Sequence, residues 1–103
     1  MHYYGNETIM SLEQVLRVKP SEVRILEWLR TYEYLENSDG IDEAVPYFLE
    51  IKVEEEAVCI RKNRITDFPD YACEEQRRFA TAEEALAVFH QWANEILQKI
   101  GKL

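Results

Sequence analysis

Two hydrophobic periods meet in this chain, and together they restrict what it can fold into. From Tyr47 to Ile60, Leu49, Ile51, Val53, Val58 and Ile60 alternate with polar partners such as Glu50 and Lys52. From Thr81 onward, Leu86, Phe89, Ala93, Ile96, Leu97 and Ile100 recur at three- and four-residue spacing. A period of two marks a strand with one face on a core, and a period near 3.6 marks a helix with one apolar stripe. A chain holding both must lay helices on a sheet, so the expected class is α+β.

The alternation predicts a β-hairpin in which Val53 faces Val58, Ile51 faces Ile60 and Glu50 faces Arg61 on the solvent side. That register puts Cys59 on the solvent side too. Glu55 and Glu56 suit a tight turn poorly, because both resist positive φ, so a longer loop is an open alternative. A short third strand is expected around Ile65 or Phe79, with Phe68-Pro69-Asp70 as a turn. Thr81 and Glu84 form a capping box that opens the last helix, and Gly101 ends it.

Ahead of the hairpin, Ser11 and Gln14 also have capping-box spacing, and Leu12, Val15 and Leu16 follow as a short helix. Pro20 suits the first turn of a second helix. Ile25, Trp28, Leu29, Tyr32 and Leu35 fall on one face of that helix, which extends to a stop at Asn37-Ser38-Asp39-Gly40. The expectation is a small antiparallel sheet, a hairpin plus a third strand, packed on one face by two main helices and a short N-terminal helix. Residues 1–103 read as a single domain, with 1–10 a tail or an edge strand. At 103 residues and 47% apolar composition, one core can close. No apolar run approaches the roughly 20 residues of a membrane span. The N-terminus lacks the pattern of a secretory signal, and the two cysteines, Cys59 and Cys73, lack metal-ligand spacing. The expectation is a cytoplasmic protein with reduced thiols and no membrane partner.

Charge is distributed unevenly. Between Glu33 and Glu56 there are nine acids and one base, Lys52, while the rest of the chain holds eleven of each. The formal net charge of −8 therefore originates in that segment. One reading is solubility alone. The other is an electronegative surface that speeds encounter with a basic partner and repels phosphates, which disfavours direct nucleic-acid binding. Arg61, Lys62, Arg64, Arg77 and Arg78 are too few against this background to form a nucleic-acid footprint.

No catalytic motif is found. Three glycines cannot build a phosphate loop, and His2 and His90 belong to no metal or catalytic pair. With 20 carboxylates in the chain, no acid–base pair stands out. Asp39, Asp42 and Glu43 lack the remaining ligands of a calcium loop. No cofactor or metal is expected. Tyr32, Tyr34, Tyr47, Phe48, Tyr71 and Trp92 exceed what one small core needs, so some of them reach the surface.

The run from Tyr47 to Leu97, with Asp67-Phe68-Pro69-Asp70-Tyr71-Ala72-Cys73 and then Thr81-Ala82-Glu83-Glu84-Ala85-Leu86 opening a helix, resembles the antitoxin domains of HicB type. The resemblance covers about half the chain. It departs from that pattern in lacking the glycines after the Pro-Asp turn and before the helix, in having helices ahead of the hairpin, and in having no strand after the last helix.

The expected function is a non-enzymatic protein-binding module of inhibitor, antitoxin, immunity or adaptor type. Its acidic face, Glu33, Glu36, Asp39, Asp42, Glu43, Glu54, Glu55 and Glu56 with Tyr34, docks on a basic protein, with mimicry of nucleic-acid charge as a special case. The alternative is a small ligand-binding protein, or a homodimer formed through the sheet, with an aromatic-lined pocket.

Overall fold

The computed structural model describes residues 7–36, 39–40, 42–67 and 69–102; the side chains of Glu36 and of residues 42–44 lie outside that description. In chain order the elements are β1 (Thr8–Ser11), α1 (Leu12–Val15), α2 (Pro20–Leu26), β2 (Trp28–Tyr32), β3 (Tyr34–Glu36), β4 (Asp42–Ala44), β5 (Tyr47–Val53), β6 (Val58–Asp67), β7 (Asp70–Phe79) and α3 (Ala82–Lys99). Five strands form a mixed sheet in the order β1-β2-β5-β6-β7, and β3 and β4 form a separate two-stranded ribbon. The fold is α+β, with the helices on one face of the sheet.

The hairpin has the register that its alternation predicts: Val53 pairs with Val58, Ile51 with Ile60 and Glu50 with Arg61. The Glu54 N–H donates to the Ala57 carbonyl at 2.8 Å, which leaves Glu55 and Glu56 as the turn without positive φ at either. The third strand is longer than its sequence suggests. β6 and β7 each have ten residues and pair along nearly their whole length, with irregularities between Lys62 and Asn63 and between Ile65 and Asp67.

The second helix is shorter than its stripe implies. It ends at Leu26, and residues 28–32 and 34–36 are strands. Glu27 turns the chain with φ 65° and ψ −41°, and its carbonyl accepts the Val53 N–H at 2.8 Å. Trp28-Leu29-Arg30-Thr31-Tyr32 also alternates and is rich in aromatic and β-branched residues, and pairing with β5 decides in favour of strand. Ile25, placed on the core stripe by helical spacing, is consequently 80% exposed, while Val23 is buried. β1, which sequence left unassigned, pairs parallel with β2.

The other caps form as their residues dictate. Ser11 and Gln14 bond reciprocally, Ser11 N–H to Gln14 Oε1 at 2.9 Å and Gln14 N–H to Ser11 Oγ at 3.2 Å. Thr81 Oγ accepts the Glu84 N–H at 3.2 Å. At the far end of α3 the Lys102 N–H reaches the Leu97 carbonyl and the Gly101 N–H the Gln98 carbonyl, around Gly101 at φ 77°. This is the Schellman pattern, which requires a left-handed residue at that position. Leu29, Leu49, Ile51, Val58 and Ile60 of the sheet meet Leu12, Val15, Val23, Leu86, Phe89, Ala93 and Leu97 of the helices in one buried cluster.

Candidate functional site

β2–β3 and β4–β5 are the two arms of one bent hairpin. Arg30 pairs with Glu50 and Tyr34 with Ala44, so four steps along one arm oppose six along the other. The extra residues are held by the Val45 N–H, which donates to the Glu33 carbonyl at 2.9 Å, and by the Leu49 N–H, which donates to Thr31 Oγ at 2.8 Å. At this irregularity the ribbon leaves the sheet and a cleft of about 230 Å³ opens.

The cleft is walled by Tyr32, Tyr34, Tyr47, Phe48 and Tyr71, with Glu33 and Arg30 among its polar members. Tyr32, Tyr34 and Tyr71 are nearly half exposed, whereas Phe48 is buried. The Tyr32 and Tyr34 rings lie 5.8 Å apart. Arg30 stacks over Phe48 at 4.6 Å and pairs with Glu7 at 2.8 Å. Glu33 is 8% exposed; its Oε1 accepts from Lys102 Nζ at 2.7 Å, and its Oε2 is buried with no hydrogen-bond partner. A buried carboxylate oxygen in that state is stabilised by any donor that reaches it.

The sequence-predicted site residues separate into two groups. Glu33 and Tyr34 stand at the cleft, and Asp39 is exposed in the turn of the ribbon. Glu36, Asp42 and Glu43 belong to β3 and β4, and their side chains lie outside the described residues. Glu54, Glu55 and Glu56 are exposed at the β5–β6 turn, at the opposite end of β5, which at seven residues is about 20 Å long. The acids contiguous in sequence are therefore not brought to one place. Glu54 bonds Arg78 Nε at 2.9 Å, and that guanidinium lowers the Glu54 pKa. Of the other residues that line the cleft, Phe48 and Tyr71 were read only as part of an aromatic surplus, and Arg30 and Ile65 escaped sequence reasoning. Arg30 lay inside the segment read as helix, and Ile65 and Tyr71 come from a hairpin whose length carried no local signal.

The sheet face away from the helices holds a second polar group. Trp28 Nε1 donates to Glu50 Oε2 at 2.7 Å, and Arg61 Nη1 lies 3.9 Å from Glu50 Oε1. Lys52 stands over the Trp28 ring at 5.2 Å. Cys59, expected on the solvent side, is on this face but buried, at the base of a shallow cleft whose walls include Lys52, Arg61 and Arg78. Burial raises its pKa more than the neighbouring Arg78 and Arg61 lower it, the opposite of what a thiolate nucleophile needs. His90 is half-buried, with Nε2 2.9 Å from the Val15 carbonyl oxygen, so that nitrogen carries the proton. Among the described residues, no three His, Cys, Asp or Glu side chains are grouped so as to hold a metal ion, and no helix is long and apolar enough to cross a membrane.

Searched against family models, curated proteins and solved structures, the chain gives no match. The resemblance of Tyr47–Leu97 to HicB-type antitoxin domains thus finds no support from family comparison.

Proposed function

We propose that this is a non-enzymatic protein-binding module that presents its β3–β4 ribbon, with the aromatic cleft at the ribbon's base, to a basic partner. The observation that carries the reading is the coincidence of charge and contact area. Residues 33–44 hold five acids and no base, and the cleft beside them exposes Tyr32, Tyr34 and Tyr71. Tyrosine supplies contact area at low entropic cost, and a one-sign field speeds encounter with an opposite surface. Inhibitor, antitoxin, immunity and adaptor roles all fit such a surface, and so does occupation of another protein's nucleic-acid cleft. Two free thiols fit a reducing, cytoplasmic setting.

The separation of the acidic groups makes the reading testable. Capture of proteins from a lysate of the native host is compared for three baits: the natural chain, E36Q/D39N/D42N/E43Q with Tyr34→Ser, and E54Q/E55Q/E56Q. The expected result is a basic protein retained by the first and third baits, lost by the second, and released by moderate salt. Equal capture by all three, or loss with the third alone, overturns it.

A second reading places a small ligand in the cleft, favoured by the apolar walls and the unpartnered Glu33 Oε2. Its mark would be a mass adduct on the purified native protein that is lost on Tyr71→Ala.

A further inference from the structure

β7 is the last strand of the sheet, and among the described residues nothing pairs with its outer edge. It runs ten residues, Asp70–Phe79, and every one except Phe79 is exposed. The opposite edge, β1, has four residues. A long bare edge presents a row of unsatisfied N–H and C=O groups, a template for another strand. Pairing with a copy of itself is the simplest way to satisfy it, and the sequence of β7 bears on which partner fits.

Its centre reads Glu74-Glu75-Gln76-Arg77-Arg78, which inverts its own charge about Gln76. Two copies joined antiparallel about a two-fold axis must place one residue opposite its own equivalent. With Gln76 there, Glu75 faces the partner's Arg77 and Glu74 faces the partner's Arg78, and symmetry repeats both pairs. Moving the axis to Glu75 or Arg77 sets like charge against like charge, which is unfavourable across strands. Gln76 is thus the one centre in this run at which the charged residues on both sides meet opposites.

We propose that the β7 edge is a homodimerisation strand, joining two copies antiparallel about Gln76 into one continuous ten-stranded sheet. The in-chain contacts of these residues are compatible with this. Glu75 lies 3.8 Å from Lys62 with its side chain about half exposed, and Arg78 engages Glu54 through Nε with its own side chain more than half exposed. Such exposed pairs are weak and can be shared with a second partner. The irregularity in the β6–β7 register falls at Glu74, where Glu75 pairs with Lys62 but Cys73 with Asn63. Regular pairing is therefore bounded by that irregularity, with Glu74 and Arg78 at its ends, and is short, so the dimer is concentration-dependent. The proposal is independent of the ribbon reading, because residues 74–78 do not line the cleft.

The test is sedimentation velocity across a wide concentration range on the full chain, on E74R/E75R, on R77E/R78E, and on an equimolar mixture of the two variants. The natural chain is expected to show a monomer–dimer equilibrium that weakens with salt. Each variant alone should associate at least about tenfold more weakly, because like charges then face each other. The mixture should recover association, since every Arg of one variant then faces a Glu of the other. That recovery also excludes misfolding as the cause of the loss. A natural chain that is monomeric throughout, variants that dimerise undiminished, or a mixture that stays monomeric would each overturn the proposal.

Discussion

The two faces of the sheet reach nearly the same burial by different chemistry. Towards the helices, Leu29, Leu49, Ile51, Val58 and Ile60 are at most 2% exposed, and their contacts are carbon on carbon. On the other face, where no helix lies, Phe48, Glu50, Cys59 and Asn63 are 7%, 7%, 6% and 0% exposed. There the covering is done by long side chains of the same layer, as when Arg30 lies over Phe48 and Lys52 over Trp28. The first face is sealed by another layer, and the second shields itself with the stems of Arg and Lys while their charges stay wet. A face of the second kind buries polar groups without satisfying all of them: Glu50 Oε1, Arg61 Nε and both amide atoms of Asn63 have no hydrogen-bond partner.

The sharpest way to break the comparison is to remove one large group from the sealed side. Phe89 is fully buried in α3, and Phe89→Ala leaves a cavity that the sheet beneath cannot fill. Urea unfolding should show a loss of about 3–5 kcal/mol. A loss under about 1 kcal/mol would mean that the helical layer is loosely packed and the two faces are alike.

On the self-shielded side, Trp28→Phe takes away the N–H that meets Glu50 Oε2 at 2.7 Å, leaving a buried carboxylate with no hydrogen bond, its Oε1 facing only Arg61 at 3.9 Å. The expected cost is about 2 kcal/mol, smaller than that of the core cavity. The double change Trp28→Phe with Glu50→Leu should recover most of it, because removing both polar partners removes the desolvation penalty with them. No recovery would show that the lost indole packing, and not the orphaned carboxylate, sets the stability of this face.

How legible each part was in sequence follows from the range of the interactions that fix it. The β5–β6 register is set by alternation between neighbouring strands, so Glu50 opposite Arg61 is readable from the residues themselves. Residues 25–35 satisfy a helical stripe and a strand alternation at once, and the choice between them rests on β5, some twenty residues away, and on Glu27 taking a conformation that few non-glycine residues adopt. The division of the acidic segment into two places has a simpler reason. Sequence proximity suggested one patch, but an extended strand between Tyr47 and Val53 carries its two ends about 20 Å apart. The cleft was legible only as a surplus of aromatics, since the offset between the bent hairpin's arms leaves no local mark.

The smallest expected effect compares the two thiols, both outside the helical core. Cys73 is exposed and Cys59 is not. At mildly alkaline pH a thiol reagent should modify Cys73 at once and Cys59 only as fast as the sheet opens. The same burial gives Cys59 a pH signature. Its pKa is raised in the folded chain, chiefly by desolvation, so the folded state holds the proton at a pH where the unfolded chain has released it. The stability this contributes is complete below the ordinary thiol pKa, about 8.5, and declines as pH rises from there through the folded value. Cys59→Ala should flatten that alkaline decline in the melting temperature while leaving neutral stability within about 1 kcal/mol. An unchanged slope would assign it to other groups and show that the side chains over Cys59 admit water freely, which would remove the basis for treating this face as self-shielded.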